Sequence, residues 1–123
     1  MSEQRRTVGK AGEEAAVQYL LQWGYQILQR NYRCRFGEID LIARDGRTLT
    51  FIEVKTRRSQ RFGPAASAVT IEKQRRLIKT SQVYMAQMNK AYELCRFDVV
   101  AIEMDAHGLH IELIKDAFQL PVN

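Results

Sequence analysis

The apolar positions fall first at helical spacing. Between Gly9 and Trp23, the residues Ala16, Val17, Leu20, Leu21 and Trp23 gather on one side and Gln18 and Gln22 on the other, which predicts a helix closed by Gly24. A period of two then takes over. "YQILQRNY", "GEIDLIA" and "TLTFIEVK" read as strands, the last two forming a hairpin across Asp45-Gly46, so three consecutive antiparallel strands are expected. "TRRSQRFGPAASAV" contains Gly63-Pro64 and no periodicity, and reads as a loop. A second helix is expected from about Thr70 to Asn89, with Thr70 as N-cap and Leu77, Ser81, Tyr84 and Met88 on its apolar face. "RFDVVAIEM" and "LHIELIK" close the chain as two strands around "DAHG". The expected order is α, three β, α, two β, without repeats or low-complexity segments.

Length and composition narrow this picture. A chain of 123 residues, 46% hydrophobic and 27% charged, with no compositional break, is expected to form one domain over residues 1–123. No apolar run approaches the roughly 18 residues of a membrane span, and "MSEQRRTVGK" is followed by no apolar segment, so neither a span nor a signal peptide is expected. The expected location is the cytoplasm. Cys34 and Cys95, without CxxC spacing, are expected as free thiols.

Charge is unevenly placed. The net charge is +5, yet residues 55–79 hold eight basic side chains and one acid, leaving −2 on the remainder. A basic loop and helix form the footprint of a phosphate-backbone binder, although a solvated charged face produces the same local count. The expected phosphate contacts are Arg57, Arg58 and Arg61 on the loop and Lys73, Gln74 and Arg76 at the start of the second helix.

Three carboxylates do not fit a plain core. In "FIEVK", Glu53 and Lys55 share one face of a strand and Ile52 and Val54 the other. Asp40 interrupts the run Ile39, Leu41, Ile42 on the partner strand. With the turn centred near residues 45 and 46, residue 51 is expected opposite Asp40 and Glu53 is its diagonal neighbour. Glu13 falls in the middle of the apolar stripe of the first helix, where it is either an acid favoured by the helix dipole or a third member of the same cluster. An isolated ExK carries little information, but converging carboxylates beside a lysine make a poor stability device, because like charges repel and desolvation is costly. Carboxylate oxygens are the ligands Mg²⁺ or Mn²⁺ prefers, and such an ion can promote phosphodiester hydrolysis, with Lys55 orienting water or offsetting transition-state charge.

With these residues in place, the chain resembles the PD-(D/E)xK nuclease superfamily, whose αβββαβ core is shared by restriction endonucleases and archaeal Holliday junction resolvases. Within it, "GKAGEEAAVQYL", "GYQIL", "GEIDLIA", "FIEVKTR" and "RFDVVAI" resemble the YraN family of small bacterial proteins, over Gly9 to about Phe118. The resemblance implies an α/β fold with a mixed central sheet flanked by helices. It also implies Asp40, Glu53 and the Val54 carbonyl as metal ligands, Lys55 as catalytic lysine, Glu13 as the helix-one acid of resolvase-like members, and Mg²⁺ or Mn²⁺ as cofactor. The implied activity is endonucleolytic hydrolysis of DNA, including branched or damaged DNA. Resolvase-like relatives act as dimers, but no patch in this sequence compels a homodimer. Ile39 stands where the motif has proline, which weakens the match without removing it. A non-catalytic nucleic-acid-binding module on the same fold is the alternative, and an RNA-directed nuclease is a third reading.

Other candidates are weaker. His107 and His110 flank a turn with no third ligand nearby in sequence. Tyr19, Trp23 and Tyr84 sit at helical spacings and read as core. Tyr32 and Phe36, interleaved with Arg30, Arg33 and Arg35, are better candidates for base stacking.

Overall fold

The computed structural model describes residues 3–57, 69–90 and 94–119. The chain runs α1 (Glu3–Gln22), β1 (Gln26–Cys34), β2 (Gly37–Asp45), β3 (Thr48–Arg57), α2 (Ile71–Gln87), β4 (Cys95–Asp105) and β5 (Gly108–Phe118). This is the expected order, with α1 beginning at Glu3 rather than Gly9. The strands form one sheet in the order β1-β2-β3-β4-β5. All neighbours are antiparallel except β3 and β4, whose parallel pairing needs a crossover, and α2 lies in that crossover. The result is an α/β fold with a mixed sheet, consistent with a restriction-endonuclease-like core.

Because successive strand residues point to opposite faces, the sheet supports two cores. On one face α1 buries Ala16, Val17 and Leu20 against Leu41, Ala43, Ile52, Val100 and Ile102. On the other, α2 buries Leu77, Ile78, Tyr84 and Met85 against Ile39, Ile42, Leu49, Phe51, Phe97 and Val99. Each fully buried Leu, Ile, Val or Phe contributes roughly 1.5–3 kcal/mol of transfer free energy. The adjacent pairs Phe51/Ile52 and Val99/Val100 each divide between the two cores, which fixes β3 and β4 as central strands.

The helix ends follow local chemistry. Gly24 takes φ 85, its amide donates to the Leu21 carbonyl at 3.1 Å, and the Tyr25 amide donates to the Leu20 carbonyl at 3.0 Å. These two bonds make a Schellman motif, and Tyr25 and Leu20 pack in the same core beneath it. At α2, Thr70 Oγ1 accepts from the Lys73 amide at 3.1 Å, as an N-cap should.

Three expected core residues, Leu21, Trp23 and Met88, lie outside; Leu21 is exposed, beyond the buried stripe of Ala16, Val17 and Leu20 on α1. Trp23 is 65% exposed, because the Schellman turn ends α1 before another buried position is reached; its ring pairs with Tyr19 instead, at 6.2 Å between centroids. Met88 lies past the end of α2 and is exposed, so the buried stripe of α2 ends at Met85. Cys34 and Cys95 are free thiols. No described helix is long and apolar enough to cross a membrane.

At the end of the sheet carrying the β2–β3 turn, a polar network ties four segments together. Asp98, 1% exposed, accepts from Arg96 Nε at 2.8 Å, from the Tyr25 hydroxyl at 3.0 Å and from the Asp116 amide at 3.0 Å. Arg96 also reaches Asp45 at 2.8 Å, and Lys115 reaches the same carboxylate at 3.2 Å. The hydrogen bond from Arg96 holds the Asp45 carboxyl below its ordinary value, whereas burial and then the Asp98 charge push the Tyr25 hydroxyl well above its own. The buried charges are therefore paired and hydrogen-bonded, as burial demands.

Candidate functional site

The site begins with the β2–β3 turn. Asp45 pairs with Thr48, so the turn residues are Gly46 and Arg47 rather than Asp45 and Gly46. Gly46, with φ 62, supplies the positive φ that such a hairpin needs at its first central position. The shift of turn moves the register. Leu41 pairs with Ile52 and Ile42 with Phe51, so the next step along places Asp40 directly opposite Glu53 and not diagonal to it.

Sheet alternation is locally broken at this level. Asn31, between the pairs Arg30↔Leu41 and Tyr32↔Ile39, stands beside Asp40 and takes φ 53. Ile39 joins the core under α2 while Leu41 joins the core under α1, and Asp40 turns toward α2. Asp40 thus keeps the alternation of Ile42, and the break falls at Ile39, next to the left-handed Asn31 in the neighbouring strand.

Asp40 and Glu53 together face a cleft of about 230 Å³, lined also by Gly37, Glu38, Lys73, Arg76 and Leu77. Glu53 is 5% exposed, and its Oε1 receives Lys73 Nζ at 2.6 Å. Asp40 Oδ2 accepts from the Val54 amide at 2.8 Å. Burial, and then the charge of Glu53, pushes the Asp40 carboxyl up to about 7; the Val54 hydrogen bond and Lys73 act in the opposite direction without cancelling them. The cleft thus holds two facing carboxylates, one ion-paired and the other short of positive charge.

The remaining expected site residues are less uniformly placed. Glu13 is half-buried on α1, which packs on the opposite face of the sheet; it accepts from Asn31 Nδ2 at 2.9 Å and does not line the cleft. Asn31 neighbours Asp40 across the β1–β2 pairing, but its side chain serves Glu13. Lys55 is half-buried on β3, in register with Ala101 of β4, and does not line the cleft either. The ammonium on Glu53 is that of Lys73, expected instead as a phosphate contact. At Val54 the amide donates to the acid pair. Gln74 donates to the Val69 carbonyl at 3.1 Å, and Arg76 is exposed on the cleft rim. Arg57 is half-buried at the end of β3, while Arg58 and Arg61 lie outside the described residues. His110 pairs with Asp105 at 3.1 Å on the β4–β5 hairpin.

The Lys73–Glu53 ion pair and Glu38 are the site features that sequence reasoning missed. A signal for Lys73 existed: it stands four residues before Leu77, so a helix that buries Leu77 on the sheet brings Lys73 to the same side. Among the described residues, no group of three or more His, Cys, Asp or Glu side chains gathers around one point. Two carboxylates suffice for a hard divalent cation, since Mg²⁺ keeps several waters and is commonly bound by one or two carboxylates plus substrate phosphate. Asp40, undercompensated and facing Glu53, fits that requirement.

A mixed α/β sheet with a helix on each face and a paired-carboxylate cleft at its β2–β3 centre is the class of protein that fold and site define. The chain matches the family model described as "Uncharacterised protein family UPF0102" over residues 12–102, and it belongs to that family. A UPF0102 protein of Syntrophus aciditrophicus is 52% identical over 120 residues, covering 98% of this chain and 94% of the relative. One from Symbiobacterium thermophilum is 51% identical over 114 residues, covering 92% and 97%, and one from Caldicellulosiruptor saccharolyticus is 45% identical over 116 residues, covering 93% and 98%. The matched span contains Glu13, Asp40, Glu53, Lys55 and Lys73.

Proposed function

We propose that this protein is a Mg²⁺- or Mn²⁺-dependent endonuclease of the PD-(D/E)xK superfamily that hydrolyses phosphodiester bonds in DNA. The observation that carries the reading is the placement of Asp40 opposite Glu53 in one cleft whose rim, on α2, is basic. Asp40 and Glu53 would hold the ion, which when bound supplies Lewis-acid polarisation of the phosphodiester. The Val54 amide keeps Asp40 Oδ2 in place, and the carboxylate's remaining lone pairs would serve the ion. Lys73 neutralises Glu53 when no other cation does, and once displaced its ammonium is positioned for a substrate phosphate. Lys55, one alternation step from Glu53 along β3, would offset charge developing on the scissile phosphate. Arg76 on the rim and Arg57 at the strand end would bind the backbone, and recognition by backbone and shape matches the lack of any base-reading motif. Cleavage is expected to act in the cytoplasm.

The test is a cleavage screen over linear, single-stranded, flap and four-way-junction DNA with Mg²⁺ and Mn²⁺, using Asp40→Ala and Glu53→Ala as controls. Metal-dependent cleavage by the wild type that both variants lose supports the mechanism; cleavage unchanged in both refutes it. One observation favours a second reading, a nucleic-acid-binding module without catalysis: Lys73 already occupies Glu53, while Lys55 and Glu13 do not line the cleft. Calorimetric titration with Mn²⁺ separates the two, since that module binds DNA in a salt-dependent way and takes up no metal.

A further inference from the structure

The β1–β2 turn carries a surface that neither core uses. Cys34 pairs with Gly37, leaving Arg35 and Phe36 as the turn residues, and the Phe36 amide donates to Cys34 Sγ at 3.4 Å. Phe36 is half-buried and belongs to neither hydrophobic cluster. Its ring instead lies close to two cations: the Arg35 guanidinium carbon lies 4.7 Å from the centroid and Lys79 Nζ 5.7 Å. Both distances fall within cation–π range, so the ring keeps two exposed cations close to one point on the surface.

This turn is seated against the cleft. A Cβ on Gly37 would stand 3.4 Å from Thr80 Oγ1 and 3.8 Å from Arg76 Cβ, ordinary van der Waals distances, so the start of β2 lies against α2. Gly37 and Arg76 also line the cleft that holds Asp40 and Glu53. Arg76 and Lys79, three residues apart, lie along one edge of α2 and continue the positive rim from the cleft to Phe36. Glu38, the acid nearest in sequence, is engaged by Arg33 at 3.4 Å. An aromatic ring with two exposed cations close to it, beside the paired-carboxylate cleft, matches the chemistry of an unpaired nucleotide: a π face for the base and cations for its phosphates.

We propose that Phe36, flanked by Arg35 and Lys79, binds an unpaired base of a single-stranded DNA segment next to the acid pair. The base replaces the Arg35 guanidinium on the ring, and Arg35 and Lys79 turn to the flanking phosphates. A duplex cannot offer a free base face, so the contact gives the protein a preference for single-stranded or branched substrates. The inference rests on the nuclease-like reading of the cleft for its location, but it concerns binding and can fail separately.

The test is fluorescence anisotropy in EDTA with two probes, a labelled 20-nucleotide oligothymidine and a labelled 20-base-pair duplex, on folded wild-type and variant protein. Phe36→Leu keeps an apolar side chain and loses the π face; it is expected to weaken oligothymidine binding about tenfold and duplex binding less than twofold. Phe36→Trp is expected to restore oligothymidine binding. Lys79→Ala is expected to weaken both probes and to lower the salt slope by about one. Wild-type affinity of Phe36→Leu for oligothymidine overturns the proposal, as does an equal loss on both probes. Because EDTA makes the assay blind to cleavage, lack of metal-dependent hydrolysis elsewhere overturns only the reading of the acid pair. Lack of any DNA binding by the wild type at low salt overturns both.

Discussion

Replacing Asp40 by asparagine is expected to make the metal-free protein more stable at alkaline pH, against the usual cost of altering a half-buried residue. The Asp40 carboxyl is pushed up to about 7 by burial and by Glu53, whereas in the unfolded chain it titrates near its ordinary value of 3.8. Between those limits the folded state keeps a proton that the unfolded state has lost. Stability therefore falls as pH rises through that window, and is lowest above about pH 7. Roughly three pH units at about 1.4 kcal/mol each set a ceiling near 4 kcal/mol for the burden carried by the ionised group. Asparagine retains an oxygen for the Val54 amide, but its NH₂ group needs a partner in the cleft, and Glu53 relaxes once its neighbour is neutral. A net gain of about 1–3 kcal/mol at pH 8 is expected. With a urea m-value of about 1–3 kcal/mol/M, this shifts the unfolding midpoint by on the order of 1 M. The assay is urea denaturation followed by circular dichroism, in EDTA, at pH 8 and pH 5. At pH 5, only about one unit above the ordinary value of 3.8, the ceiling on that burden falls below about 2 kcal/mol, so the advantage of the variant should shrink to under half of its value at pH 8. Equal effects at both pH values, or a loss at pH 8, would refute the electrostatic reasoning. Saturating Mn²⁺ should stabilise the wild type, by about 2.7 kcal/mol at a hundredfold excess over Kd, and leave Asp40→Asn little changed.

Three further outcomes follow from packing and hydrogen bonding. Asp98→Ala leaves Arg96 and the Tyr25 hydroxyl without their buried acceptor and should cost about 3–5 kcal/mol in thermal or urea melts; a loss under 1 kcal/mol would show that the network is not stabilising as drawn. Gly12→Ala, despite the helix propensity of alanine, should lose about 1–3 kcal/mol, because its Cβ would lie against Thr56 Oγ1 where helix and strand meet; adding Thr56→Ala should recover most of it, which a double-mutant cycle measures. Thr70→Ala removes the acceptor for the Lys73 amide and should cost about 1 kcal/mol by the same melts.

Much of the fold was legible from local pattern, because each element carries its own periodicity and its own stop signals. The patterns of "TLTFIEVK" and "RFDVVAI" marked strands, Gly24 ended α1, and Thr70 began α2, all through interactions spanning a few residues. The carboxylates at positions 40 and 53 were legible for the same reason, as polar residues in runs that otherwise bury. What lay beyond sequence was relative position. Whether residue 51 or residue 53 faces Asp40 depends on which two residues make the turn, and an Asp-Gly pair is compatible with more than one phase; Gly46 and Arg47 decided it. Which ammonium meets Glu53 depends on how α2 docks across the sheet, a contact twenty residues away in sequence that placed Lys73 there and left Lys55 outside the cleft. Glu13 illustrates the limit most clearly: its place in an apolar stripe fixed that it turns toward the sheet, while only packing decided that α1 covers the face opposite the cleft and that Asn31 serves its carboxylate. Periodicity is a property of neighbouring residues, whereas a site is made by residues that only packing and register bring together.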